Sequence, residues 1–300
     1  MKNKFVILLL CAALTGCGQT ASTGSSVISD GDTASSFVIS DIPESAFSDD
    51  IITDDNTQPD KAKVEAKTIY EDEQITVHAE SLDSDTDSTY LEVTIENKLD
   101  KNITLSCSEA YVNNYLIDTA FSAEIAAKDS IMTGIDFSNA LLNACGITNV
   151  TDISLRLCAY SFDSADLLYE TDMMDITTDQ SGTEQPVDTT GEIVFENSGI
   201  TIIKKGISHD SDGQPKAVFL ITNRADKAMF IDAELTGASA DLAYIDCGYM
   251  LASGKQALVY VRAIDTEGNI MSSLDGLTYH FLLSDGETWD DIATSDEMTF

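Results

Sequence analysis

The chain has 300 residues, with 52 Asp and Glu against 16 Lys and Arg and a formal net charge of -36. A field of that sign repels phosphate backbones and anionic lipid, which excludes nucleic acid as a partner and favours cations and basic surfaces. At 43% hydrophobic residues the chain still holds enough apolar side chains for packed domains.

Residues 1–17, MKNKFVILLLCAALTGC, have the layout of an export signal. Lys2 and Lys4 form a positive start, residues 5–14 an apolar core, and small residues precede Cys17. The apolar run is too short for a transmembrane helix, and no other run approaches the ~20 residues needed. The ending Leu14-Thr15-Gly16-Cys17 resembles a bacterial lipobox. That resemblance implies cleavage before Cys17 and a diacylglycerol on its sulfur, so the anchor is lipid; two or more acyl chains hold stably where one holds weakly. Gly18 follows, with no acidic retention residue of the kind seen in Gram-negative lipoproteins. With the Ser/Thr-rich stretch behind it, this resembles lipoproteins of Gram-positive bacteria and implies the extracellular face of the cell membrane.

From residue 18 to 63 the chain is Ser, Thr and Asp with single scattered apolar residues. Too little apolar surface is available there to offset the entropy of ordering, so this stretch is expected to be a disordered acidic tether. A second polar stretch, residues 179–190, reads as a linker between two halves, residues 64–178 and 191–300.

The halves read as copies of one domain. IYEDEQITV (69–77) matches VFENSGITI (194–202), and YLEVTIENKLDK (90–101) matches AVFLITNRADK (217–227). Further on, ISLRLCAY (153–160) matches LTYHFLLS (277–284), and ETDMMDI (170–176) matches TSDEMTF (294–300). Blocks recurring in the same order at a nearly constant offset are the mark of duplication. Within each copy the period is two: Leu277, Tyr279, Phe281 and Leu283 share one face, as do Ile153, Leu155, Leu157 and Ala159. Short alternating runs bounded by Asn, Asp, Ser and Gly predict half-buried antiparallel strands, about seven per copy. The expected fold is therefore all-β, two tandem antiparallel sandwiches each able to fold alone. One short helix is predicted over residues 138–145, capped by Gly146, with a shorter counterpart over residues 270–274.

Each copy carries the turn Asn-[Lys/Arg]-x-Asp-Lys at a strand end: Asn97, Asp100 and Lys101 in the first, Asn223, Asp226 and Lys227 in the second. With Val112-Asn113-Asn114 and the closing strand, this set resembles the uncharacterised immunoglobulin-like domains of many Firmicutes lipoproteins and wall proteins. The second copy has Thr236-Gly237-Ala238 in place of Val-Asn-Asn, and the family offers no catalytic residues to carry over. Asn tolerates left-handed backbone and closes an Asx-turn, so the repeated turn reads as structural, with Lys101 and Lys227 offsetting local negative charge.

Several residues are candidates for chemistry. Asp83, Asp85 and Asp87 alternate as the first oxygen ligands of a calcium loop do, but Ser88 and Thr94 stand where Gly and a bidentate Glu are needed. Asp210 and Asp212 sit at the matching turn of the second copy. The bland reading of both is a solvated hairpin. Trp289 and Tyr111 are candidate ligand contacts, because sugar-binding modules stack pyranose rings on aromatic faces. Cys107, Cys145 and Cys158 in one copy and Cys247 in the other make no disulfide framework; Cys107 and Cys158 are placed either to pair or to stay free. No GxSxG, HExxH or Gly-rich phosphate loop is present, and His78, His209 and His280 are far apart.

The expectation is a non-catalytic, membrane-anchored binding or spacer module. Its partners are the lipid bilayer, through acylated Cys17, and an envelope protein or glycan, met by end loops or by an unpaired edge strand. A calcium-dependent glycan or wall-polymer adhesin is the alternative, and a hydrolase with paired carboxylates the third.

Overall fold

Alternation along the strands builds two sheets in each half. The computed structural model describes residues 62–300 apart from 211 and 242. The signal, Cys17 and the acidic stretch up to residue 61 lie outside the described residues. In the first half, β1 (Lys67–Glu71), β2 (Ile75–Ser84), β3 (Ser88–Asn97) and β7 (Ser130–Ser138) form one antiparallel sheet in the order β1-β2-β3-β7. The facing sheet is centred on β4 (Ile103–Val112) and β8 (Asp152–Ser161). Short strands β5 (Tyr115–Leu116) and β6 (Ser122–Ile125) pair with β4, while β9 (Leu167–Glu170) and β10 (Met174–Thr177) pair with β8.

The second half repeats the plan. Strands β11 (Glu192–Asn197), β12 (Ile200–His209), β13 (Pro215–Asn223) and β17 (Gln256–Asp265) form its first sheet, with β15 (Ala243–Asp246) added on β17. Facing it are β14 (Met229–Leu235), β16 (Gly248–Leu251), β18 (Thr278–Asp285), β19 (Asp291–Thr294) and β20 (Met298–Thr299). The protein is thus all-β, two antiparallel sandwiches in tandem.

The duplication extends to register. Ile75 lies opposite Asn97 and Ile200 opposite Asn223. Leu105 faces Ala159 and Ile231 faces Leu283. Met174 meets Leu155, and Met298 meets Tyr279. Alternate residues point to opposite faces of a strand, so Thr89, Leu91, Val93, Ile95 and Asn97 of β3 are all buried. In the second core Phe219 packs edge-on against Phe281 and Tyr279, with ring centroids 5.1 and 6.1 Å apart. Removing each such side chain from water stabilises the fold by about 1.5–3 kcal/mol.

Among the described residues one 3-10 turn spans Gly237–Asp241, and one α-helix, α1 (Asn139–Ala144), follows β7. It ends at Gly146, φ 71°, where the Gly146 and Ile147 N–H groups donate to Asn143 and Leu142 carbonyls at 2.8 Å each. The helix expected over residues 270–274 does not form. That segment lies along β17, with an Ile264–Ile270 bridge and the Met271 N–H donating to the Ala263 carbonyl at 2.8 Å. The Asp265 carboxylate closes the turn before it by accepting the Asn269 N–H at 2.8 Å.

The domain limits also shift. Ala62 is buried, and Lys63 and Asp179 exchange two hydrogen bonds, so the first sandwich takes in residues assigned above to the tether. The 179–190 linker is held against the body rather than free. Gln185 accepts from the Asn113 amide and donates to the Gly146 carbonyl, while Lys205 donates to Asp188 and to the Thr190 carbonyl, both at 2.7 Å.

The sandwiches are fused through β5. Asn113 and Asn114, at φ 50° and 67°, form a two-residue turn that folds β5 back on β4. Left-handed backbone at both central positions is what a type I′ hairpin demands, and Asn accepts it at little cost. Tyr115 then pairs in parallel with Gln256 of β17, whose N–H donates to the Asn114 carbonyl at 2.9 Å. Ile203, Leu220 and Leu258 of the second half pack into the first core, and Tyr111 of the first half packs into the second.

Candidate functional site

The repeated Asn turn is a buried clasp. Asn97 and Asn223 are both 0% exposed. The Asn97 amide donates to the carbonyls of Lys101 (2.8 Å), Ile125 (3.2 Å) and Ala126 (2.9 Å), and its oxygen accepts the Leu99 N–H at 3.0 Å. Asn223 does the same with Lys227, Leu251, Ala252 and Ala225. Each clasp ties a strand end to a segment of the facing sheet. The Asx-turn forms without left-handed backbone at either Asn, because the side chain rather than φ makes the motif. The two lysines differ. Lys227 pairs with Asp285, and this charged hydrogen bond, with the Thr288 and Glu287 N–H groups, holds the Asp285 carboxyl well below the usual carboxylate range. Lys101 is exposed and has no ion pair among the described residues; in its copy Lys128 reaches Asp100 at 3.2 Å.

The acidic turn does not gather ligands. Asp83 lies within β2 opposite Tyr90, while Asp85 turns inward to accept the Asp87 and Ser88 N–H groups at 2.9 and 2.8 Å. Those bonds lower its pKa and spend its carboxylate on the hairpin. Asp210 accepts the Gln214 N–H at 2.7 Å and meets Arg262 at 3.4 Å. Among the described residues no group of three or more His, Cys, Asp or Glu is placed to hold a metal ion. The Asx hairpin accounts for Asp85 and Asp210, each of which turns one carboxylate oxygen to the backbone N–H groups of its own turn.

The four described thiols are free. Ser106, not Cys107, lies opposite Cys158, so the two cysteines are offset by one residue in the ladder. Burial pushes Cys107 and Cys145 up to about 12, and raises Cys158 and Cys247 as well, which disfavours the thiolate at each.

The joint between sandwiches holds two cavities, of about 30 and about 190 Å³. Both are below the ~300–1,000 Å³ of small-molecule sites. The larger is bordered by Cys145, Asp188 and Lys205, and Lys205 is already committed to the linker. Tyr111 belongs to this joint. It is 0% exposed, so it is no ligand contact. Its hydroxyl donates to Glu109 and accepts the Ala252 N–H at 3.1 Å. The Lys255 ammonium sits 4.8 Å above its ring and donates to the Asn114 side chain at 2.9 Å. The residue is a cross-domain bolt, which only the packing of the two halves reveals.

Trp289 is placed differently. It is 50% exposed in the β18–β19 hairpin, at φ 61°. Its ring lies 5.0 Å from that of Phe230 on the outer face of β14, tilted by 54°. The loop beneath is firm: the Trp289 N–H donates to the Asp285 carbonyl at 2.9 Å, and Asp285 Oδ1 accepts from Glu287 and Thr288 at 2.9 and 3.0 Å. Left-handed backbone at a non-glycine residue costs about 1–3 kcal/mol. The first sandwich builds the same hairpin with Ala165, at φ 55°, whose N–H donates to the Ser161 carbonyl at 2.8 Å. The turn therefore requires a left-handed residue but not a tryptophan.

Phe230 lies opposite Met250 in β16 and Ser284 in β18. Gly248 leaves room beside the Phe230 ring, where a Cβ would approach to 3.5 Å. Sequence alone missed Phe230 and Met250. The signal was available in the two copies: the matching pair in the first sandwich is Thr104 and Glu124, so an apolar pair replaces a polar one.

No protein-family model matches the chain, and no curated protein does. Solved structures match weakly. The YadV chaperone aligns at 12% identity over 70% of this chain and 92% of its own, with a TM-score of 0.22. A complex of Amycolatopsis orientalis exo-chitosanase CsxA with PNP-beta-D-glucosamine aligns at 11% identity over 70% of this chain and 25% of its own, with a TM-score of 0.25.

Proposed function

We propose that the protein is a lipid-anchored, non-catalytic module on the extracellular face of the cell membrane, where it acts as a binding or spacer arm. The observation that carries this reading is the lipobox-like ending at Cys17 behind a short apolar signal. Acylated Cys17 holds the chain, the acidic Ser/Thr-rich stretch sets it off the surface, and the fused sandwiches present their outer faces. One further observation agrees with it. The joint spends its polar side chains on holding the two halves together, as an arm requires. The net charge of -36 keeps the body away from anionic lipid and from other copies of itself.

The test is fractionation of cells expressing the full chain and the Cys17→Ser variant. The native chain is expected in the membrane fraction with lipid on Cys17 by mass spectrometry, and the variant in the medium or trapped as precursor. Native protein recovered from the medium with an unmodified Cys17 would end this reading.

A further inference from the structure

We propose that the outer face of the β16-β14-β18-β19 sheet in the second sandwich is a binding platform for pyranose rings of an uncharged polysaccharide, with Trp289 and Phe230 as the stacking surface. This deepens the binding-module reading above by naming the face and the ligand chemistry.

Trp289 occupies left-handed backbone where its counterpart is Ala165, and half of its surface stays in water. Phe230 and Met250 replace Thr104 and Glu124 at matched register, on a face that solvent covers. The first sandwich has exposed apolar residues near the same hairpin, Phe162 and Leu167, but at other positions. The three substitutions that make the second face more apolar, at Trp289, Phe230 and Met250, therefore fall on neighbouring strands and their hairpin. Gly248 adds no side chain beside Phe230, and a Cβ at Gly286 would come within 2.8 Å of Met250 Sδ and the Ala228 carbonyl. Both glycines keep the surface low and close-packed.

Charge selects the occupant. Asp232 lies two residues from Phe230 on β14, Glu287, Asp290 and Asp291 lie within two residues of Trp289, and Lys227 is already paired with Asp285. These carboxylates repel anionic polymers and a second copy of this chain. They accept hydrogen bonds from hydroxyl groups, which a neutral sugar supplies in number. A firm, shallow apolar surface rimmed by acceptors fits the C–H face of a pyranose with its hydroxyls turned outward.

Trp289 is the only tryptophan in the chain, so its emission reports on this face alone. The full chain is titrated with cellohexaose, a flat β-linked hexaose, with maltohexaose, its α-linked isomer, and with hexalysine. A saturable shift in emission with at least one hexaose is expected, with Kd on the order of 1 mM. Phe230→Thr installs the first sandwich's residue and is expected to weaken binding about tenfold at unchanged melting temperature. Trp289→Ala, followed by calorimetry, is expected to lose binding to the same degree or more. The proposal is overturned if neither hexaose shifts the emission below about 10 mM, far above the expected Kd. It is equally overturned if Phe230→Thr and Trp289→Ala both bind as the native chain does. Hexalysine binding as tightly as the better hexaose would reassign the face to a basic peptide. Failure here leaves the Cys17 fractionation untouched, so the anchored arm and its ligand are judged separately.

Discussion

Asn97 and Asn223 show how much of this fold rests on single polar side chains. Each amide satisfies three carbonyls that would otherwise be left in a buried turn, and each oxygen holds one N–H. An unpartnered buried acceptor costs about 1–3 kcal/mol, so the clasp is worth more than any one of its bonds. Asn223→Ala is expected to lower stability by about 3 kcal/mol in urea unfolding, and Asn97→Ala by a similar amount. A loss below about 1 kcal/mol at both positions would mean that water replaces the amide without penalty. The motif was legible in the sequence because its spacing repeats. Its partners were not: residues 125, 126, 251 and 252 lie almost thirty positions on, and only the facing sheet brings their carbonyls to the Asn. Trp289 and Tyr111 divide for the same reason. Both are aromatic residues near strand ends, and their sequence surroundings do not say that one is half in water and the other sealed between sandwiches.

Hairpins show a second limit of local reading. Ser198 and Gly199, at φ 49° and 86°, turn β11 into β12. A Cβ at Gly199 would fall 2.7 Å from the Ala225 nitrogen, so the turn is packed directly against the clasp segment of Asn223. Gly254, at φ 74°, has nothing within 4 Å of the same position. Gly199→Ala is expected to cost about 2 kcal/mol more than Gly254→Ala in thermal unfolding, the difference isolating the steric contact from the backbone strain they share. Equal losses would show that the chain relaxes around the added methyl. Strand periodicity was readable in β3 and β18 because one face of each is wet and the other dry. The 270–274 segment was misread as helical because a few apolar residues without a partner carry no period of their own; its extended form comes from β17, to which it bonds.

At the scale of the molecule the central question is whether two domains behave as one. Each half has its own core, and each core also takes side chains from the other half. Tyr111 connects them through its buried ring, its bond to the Ala252 N–H and the Lys255 ammonium above it. Calorimetry of the native chain is expected to show one unfolding transition. Tyr111→Ala removes the bolt and a large buried side chain, a loss of about 3–5 kcal/mol, and is expected to split the transition in two. Two transitions in the native chain would mean that the joint is only a contact between independent units.

The duplication, the all-β class and the strand alternation were determined by the sequence itself, because repeated spacing and period-two burial are local properties of the chain. The lipid-anchor reading of residues 1–17 also rests on a contiguous pattern, and the Cys17 fractionation decides it. Only the tertiary structure decided that Val112-Asn113-Asn114 leads into a cross-domain strand, that Asp85 caps backbone N–H groups of its own hairpin, and that Phe230, paired with Met250, meets Trp289. The first and last of these depend on groups distant in sequence meeting across a ladder or a sheet, and register, not composition, sets which ones meet.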